Sequence, residues 1–136
     1  MGQQQLLLLV IGVILVALAI MSAFPALDKS FRQDEADGLL DRSLAIAGYA
    51  VQWKITSDPY AGGNMSYERL ADRGLQTLGL DTTTVRGRFA ITEATPTRLV
   101  VTGVSDRYPG IGVRAYISEY DVDSSVVSFD GDITLE

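Results

Sequence analysis

The sequence of 136 residues contains no cysteine and no histidine. Without cysteine the chain forms neither disulfide bonds nor the thiolate nucleophile of cysteine-dependent enzymes. Without histidine it lacks the commonest metal ligand and the commonest general base of enzyme active sites. We therefore expect a protein that is not an enzyme, with no catalytic residues, no cofactor and no metal site.

Positive charge is scarce, and the N-terminal end has none. The formal net charge is -6, the first basic residue is Lys29, and every Asp or Glu follows Phe24. An acidic domain repels the phosphates of nucleic acids and of anionic lipid headgroups. We therefore expect no nucleic-acid partner.

What the sequence does contain is an uninterrupted apolar run over residues 6–24. At about 1.5 Å per residue this run makes a helix of roughly 28 Å, close to the roughly 30 Å hydrocarbon core of a bilayer. A helix that is apolar on every face must be surrounded by lipid or by other protein. The run lacks a basic flank and is longer than a signal-peptide core, which favours a membrane anchor or a polymerisation helix.

The pattern beyond Pro25 predicts that the helix continues without a linker. Domain boundaries are placed at 1–25 for the apolar segment and at 26–136 for a globular head, whose helical part covers 26–55. Charged side chains there alternate with an apolar stripe at spacings of three and four residues. The predicted buried stripe comprises Leu27, Phe31, Leu40, Leu44, Ala47, Val51 and Ile55. The predicted polar faces include Lys29, Arg32, Asp34, Asp41, Arg42 and Lys54.

A Pro- and Gly-containing break over residues 57–64 separates this helix from a short second helix at 66–78, capped by Asn64 or Ser66 and ended by Gly79. Its predicted buried side chains are Tyr67, Leu70, Leu75 and Leu78. Residues rich in Val, Ile, Thr, Tyr and Phe predict strands at 82–92, 97–105, 112–120 and 124–129. Asp130 and Gly131 suit a hairpin turn that returns residues 132–135 to the sheet. The expected fold class is α+β, with the long helix packed on an antiparallel sheet of four to five strands within 82–136.

Four features of the N-terminus carry a resemblance to the type IV pilin superfamily. They are Gly2 before Gln3, the apolar run, Gly12 within the run and Pro25 near its end. The resemblance implies cleavage after Gly2 by a prepilin peptidase and the family's methylation motif at the new N-terminus, Gln3. It also implies a subunit that waits in the bilayer of the cytoplasmic membrane. Pilus assembly machinery then adds it to an extracellular filament on the cell surface, a helical homopolymer of the same chain.

In that family the apolar helices bundle to form the filament core. Pro25 cannot donate a hydrogen bond to residue 21 and its ring crowds that turn, which predicts a kink or local melting there. Gly12 is interpreted either as packing that lipid tolerates or as a point of close helix approach or melting. The implied polymerisation residues are Leu6, Leu7, Leu8, Leu9, Val10, Ile11, Val13, Ile14, Leu15, Val16, Leu18, Ile20 and Phe24. The sequence departs from the family at Leu7, which stands where a glutamate is usual. The segment before the expected cleavage point is also only Met-Gly.

Two alternatives remain beside the filament subunit. One is a minor pilin or pseudopilin of a secretion or pilus system, with the same architecture. The other is a monomeric binding domain anchored in a membrane. The first basic residues, Lys29 and Arg32, follow the apolar run, so the positive-inside rule taken alone favours a cytoplasmic head and opposes the orientation that the resemblance implies.

Two further patterns in the head suggest local sites. Asp121, Asp123, Asp130 and Asp132 have the oxygen ligands that calcium prefers, but their spacing does not form an EF-hand loop, so solvated turn residues are the favoured interpretation. The triplet that begins at Asn64 and ends at Ser66 matches an N-glycosylation acceptor.

Overall fold

The computed structural model describes residues 2–57 and 62–135, so residues 58–61 of the predicted break lie outside the described part of the chain. The elements are α1 (Gly2–Ile55), α2 (Leu70–Thr77), β1 (Gly87–Ala94), β2 (Arg98–Ser105), β3 (Gly112–Ser118) and β4 (Asp121–Ser128). The chain divides between Gln33 and Asp34 into two units. The α+β fold with a long N-terminal helix, a short second helix and an antiparallel sheet is as predicted.

The sheet is an antiparallel meander in the order β1-β2-β3-β4, so β1 and β4 are its two edges. Strand β1 starts at Gly87, five residues later than predicted. The preceding residues turn back along it, with Thr84 N donating to Gly87 O at 2.8 Å and Phe89 N donating to Thr82 O at 2.8 Å.

Strand β4 starts at Asp121, where a break was predicted. The chain instead reverses at Glu119, whose positive φ of 56° belongs to a tight turn.

The predicted return of residues 132–135 to β4 is wrong. Gly131 has the positive φ of a turn residue, 82°, but its N–H donates to Gly110 O at 2.9 Å. The chain therefore passes to the loop between β2 and β3, where buried Ile133 packs against Gly112. A glycine at position 112 leaves the space that the Ile133 side chain fills, and burial of this apolar side chain stabilises the observed path of the chain.

The head buries a different stripe of α1 from the one predicted. Of the predicted stripe, Ala47 is buried and Leu40 and Val51 are partly buried against the core. Leu44 and Ile55 are exposed, and so are Leu27 and Phe31 in the N-terminal unit. The buried face comprises Glu35, Ala36, Leu39, Ser43, Ile46, Ala47, Ala50, Trp53 and Lys54. This face repeats every three or four residues, but small and polar side chains make up much of it. The predicted stripe followed the large apolar residues and therefore lies partly on a neighbouring face of α1.

Helix α2 is shorter than predicted, because residues 66–69 are not helical. Within the helix, Arg73 departs from helical geometry with φ of −139°. The predicted buried side chains are confirmed: Tyr67, Leu70 and Leu75 are buried and Leu78 is partly buried. The end at Gly79 is also confirmed, because this residue has φ of 74° and Leu80 N donates to Leu75 O at 2.8 Å.

Candidate functional site

The N-terminal part of α1 presents apolar side chains on every face of the helix. Fourteen large apolar side chains between positions 6 and 24 are each between 44% and 70% exposed. They are Leu6, Leu7, Leu8, Leu9, Val10, Ile11, Val13, Ile14, Leu15, Val16, Leu18, Ile20, Met21 and Phe24. Each side chain of this set therefore remains substantially exposed in the described part of the chain.

The free energy of removing this surface from water is large. Burial of one large apolar side chain contributes about 1.5–3 kcal/mol, so the set as a whole represents on the order of 20 kcal/mol or more. The most apolar 18-residue window of α1 has a mean hydropathy of 3.1, and none of that window is buried. By length and composition, this is the helix among the described residues that can cross a membrane, and it is compatible with membrane anchoring.

The residues singled out at the N-terminus lie on this same helix. Gly2 and Gln3 begin it, and the helix continues through Pro25 without interruption. A Cβ added at Gly12 would meet nothing within 4 Å, so the chain itself supplies no reason for a glycine there. Leu7 is 59% exposed. The expected processing at Gly2, and the kinking at Gly12 and Pro25, stay predictions.

Two contacts join α1 to the sheet, one to β2 and one to the turn between β3 and β4. Near the start of the head, the buried Ser105 hydroxyl donates to Glu35 Oε1 at 2.9 Å and accepts from Tyr108 N at 3.1 Å. At the other end, Lys54 is 1% exposed, and its Nζ lies 3.3 Å from Glu119 Oε2. The helix and the strands therefore run alongside each other through the head.

Lys54 is held by two aromatic rings as well as by its carboxylate partner. Its Nζ lies 4.4 Å from the ring centroid of Tyr67 and 4.7 Å from that of Tyr120, distances at which a cation is attracted by the ring faces. The Tyr67 hydroxyl donates to the Glu119 carbonyl. Burial, together with Tyr120 and Glu119, raises the pKa of Tyr67 to about 12. The prediction that Lys54 lies on a polar face is wrong. Its position four residues after buried Ala50 and three after partly buried Val51 was the available signal.

The acidic residues considered for calcium are not gathered into a site. Asp121, Asp123, Asp130 and Asp132 are all exposed, and no group of three or more acidic side chains that could hold a metal ion occurs in residues 2–57 and 62–135. Asn64 is exposed with a positive φ of 51°. Its glycosylation stays a prediction.

No protein-family model, curated protein or solved structure significantly matches this chain. The resemblance to type IV pilins therefore rests on the N-terminal residues and is compatible with the observed order of a long helix followed by an antiparallel sheet. Function must be argued from the exposed apolar segment and from the surface of the head.

Proposed function

We propose that this chain is a structural, non-enzymatic subunit of an extracellular type IV pilus-like filament. The observation that carries the proposal is the continuous helix α1, whose residues 6–24 are apolar and exposed on every face while its residues from Glu35 to Lys54 form part of a folded head. A flexible tether would serve an anchor equally well. In α1 the apolar segment and the head are instead joined without a linker, which favours the filament subunit over a simple anchor.

The energetics of the apolar segment suit transfer from a membrane into a polymer. Lipid tails and leucine side chains are similarly apolar, so the helix loses lipid contacts and gains equivalent contacts with neighbouring helices. The net change in hydrophobic free energy is small compared with exposure to water. Packing and the assembly machinery then decide the direction of transfer between bilayer and filament.

In this proposal the bilayer of the cytoplasmic membrane holds the subunit before assembly, and the acidic head lies outside the cytoplasm. The partners are prepilin peptidase, the assembly machinery and further copies of the same chain. Cleavage after Gly2 gives Gln3 as the mature N-terminus. The net charge of -6, which follows the apolar segment, keeps the filament surface soluble.

Two measurements on material from the native host test the proposal together. Mass spectrometry of the N-terminal peptide is expected to give Gln3 as the first residue, and electron microscopy is expected to show filaments in which this chain is the abundant component. An intact Met1 on a chain that stays monomeric in detergent would overturn the proposal and favour the anchored binding domain. A Gln3 N-terminus on a scarce chain in a mixed complex would favour the minor pilin or pseudopilin.

Substitution at Pro25 separates the filament from a simple anchor. We expect Pro25→Ala to leave membrane localisation unchanged, since the apolar residues 6–24 are retained, and to alter filament yield or helical symmetry. Ala45→Ser, at an exposed position of the same helix in the head, is the matched control. Unchanged filaments in both variants would remove Pro25 from the assembly mechanism.

A further inference from the structure

An open cleft of about 560 Å³ lies where the chain enters β1 beside α1. It is lined by Gly38, Asp41, Arg42, Thr84, Val85 and Arg86, which we call the arginine cleft. A Cβ added at Gly38 would lie 2.0 Å from Arg86 Nη1, so the glycine lets this guanidinium rest against the helix backbone. Arg42 lies one turn further along the same face. The cleft thus holds two guanidinium groups, and Gly38 makes room for that of Arg86.

The arginines of the cleft lack anionic partners among the described residues. The ion pairs among the described residues are Lys54 with Glu119 and Arg88 with Asp106, and neither includes Arg42 or Arg86. Arg42 Nε is buried and has no hydrogen-bond partner, which is uncommon for a guanidinium nitrogen. Asp41 offsets part of the positive charge. Beside the arginines, Val85 is 87% exposed at the tip of the turn that precedes β1. The cleft therefore offers unpaired cations next to an apolar knob.

A complementary surface lies at the opposite edge of the sheet. Strand β4 is exposed along almost its whole length and pairs only with β3 in the described sheet. Its first residues, Asp121, Val122 and Asp123, are all exposed, with Val122 at 46%, and we call them the acidic edge. Neither aspartate belongs to a described ion pair. Asp121 pairs with Ser118 and Val122 pairs with Ile117, so these two neighbouring side chains lie on opposite faces of β4. The acidic edge therefore complements the arginine cleft in charge.

The two surfaces are too far apart to meet within one head. Gly38, at the cleft, and Lys54 are sixteen residues apart on α1, which is about 24 Å along the helix axis. Lys54 contacts Glu119, which immediately precedes Tyr120 and the acidic edge. Strands β1 and β4 are also separated by three interstrand spacings, about 14 Å across the sheet. Contact between the surfaces therefore requires two molecules.

We propose that the acidic edge of one head binds the arginine cleft of the next copy in a head-to-tail contact. This inference rests on the proposed filament and names the head surfaces that join its subunits. The contact uses two different surfaces displaced along α1, so it is heterologous and can propagate instead of closing. Asp121 and Asp123 supply carboxylates to Arg42 and Arg86, which brings the start of β4 of one head beside the turn at Val85 of the next.

Cysteine cross-linking tests the contact directly, because the native chain has no cysteine. We expect the full-length variant with Val85→Cys and Val122→Cys, oxidised as filaments or in detergent, to give a ladder of trimers and longer multimers on non-reducing gels. Each single variant can give dimers at most. Val85→Cys combined with Gln76→Cys, exposed on α2, is the matched control and should give no ladder.

Charge exchange provides an independent measurement. We expect Arg42→Asp with Arg86→Asp to raise the critical concentration for filament growth about tenfold or more, and Asp121→Arg with Asp123→Arg to do the same. Combining all four substitutions should restore growth. Arg73→Asp with Arg107→Asp changes the net charge equally at two exposed positions and is the control.

The outcomes separate this contact from the proposed function. Filaments that form but give no ladder, or only doubly linked dimers, overturn the head-to-tail contact and leave the filament proposal standing. A chain that forms no filaments and stays monomeric overturns both. A ladder, together with restored growth in the fourfold variant, supports the contact, whereas failure of restoration in folded protein counts against the charge pairing.

Discussion

The buried ammonium of Lys54 leads us to predict that even a near-isosteric substitution of Glu119 lowers the stability of the head. Lys54 is 1% exposed and its Nζ lies 3.3 Å from Glu119 Oε2, whereas the Glu119 side chain is 58% exposed. Removing one partner of a fully buried pair costs about 3–5 kcal/mol. Because solvent screens the exposed carboxylate, we expect Glu119→Gln to lower the free energy of unfolding by about 1–2 kcal/mol.

Replacing the cation itself should cost less. Lys54→Met keeps an unbranched side chain of similar length against Tyr67 and Tyr120 and removes the need to desolvate a charge. It loses the ion pair and the cation–π attraction, so the expected change is about 0–1 kcal/mol. Once Lys54 is Met, adding Glu119→Gln should have little further effect. The order of stability is therefore wild type, then Lys54→Met, then Glu119→Gln.

Denaturation of the full chain in detergent micelles measures this order. Trp53 is the single tryptophan, is only 9% exposed and is next to Lys54, so its fluorescence reports unfolding of this part of the head. Glu119→Asp is the matched control, since it keeps the charge at the same exposed position. A Glu119→Gln variant as stable as wild type, or more stable than Lys54→Met, would refute the argument that the carboxylate stabilises a buried cation.

The remaining predictions concern Tyr67 and two glycines. Because the pKa of Tyr67 is raised from 10.0 to about 12, its neutral form is favoured by folding. The stability that this group contributes is complete below pH 10 and is lost as pH rises towards 12, so stability curves of wild type and Tyr67→Phe should converge over that range. Gly48→Ala, where an added Cβ meets nothing within 4 Å, should stabilise α1 by up to about 1 kcal/mol in thermal unfolding. Gly103→Ala should destabilise by about 1–3 kcal/mol, because its Cβ would lie 2.7 Å from the Phe89 ring; equal effects at the two glycines would contradict the packing described.

The fold was predictable where one local signal dominated. Continuous apolarity and the absence of a linker predicted α1, and β-branched residues between turn signals predicted four strands in a meander. Positions that depend on tertiary contacts were not predictable. Ala36, Ser43 and Ala50 belong to the buried face of α1, and a count of large apolar residues gives such small side chains little weight.

The candidate sites divide in the same way. The exposed apolar segment was predictable, because the continuous apolarity of residues 6–24 is visible in the sequence itself. These side chains are exposed in the described structure. The arginine cleft was not, since Arg42 and Arg86 are far apart in the chain and meet only because Gly38 makes room for one of them. The surroundings of Lys54 were not predictable, because its contacts with Glu119 and Tyr120 join residues far apart in the sequence.

The register of the proposed filament needs an explanation beyond its apolar helices. A segment that is apolar on every face gains similar contacts at many rotations and axial offsets, so hydrophobic packing gives affinity with little specificity. In the family that the N-terminus resembles, a glutamate near the N-terminus supplies a charge that favours one arrangement, but this chain has Leu7 there. Charged groups elsewhere must then select the offset. In the part of the head that the structure describes, Arg42 and Arg86 at one end and Asp121 and Asp123 at the other are suited to do so. Gly38 beside the arginine cleft and Lys54 beside Glu119 are about 24 Å apart along α1, so pairing of the opposite charges favours one axial displacement between neighbours over the rest.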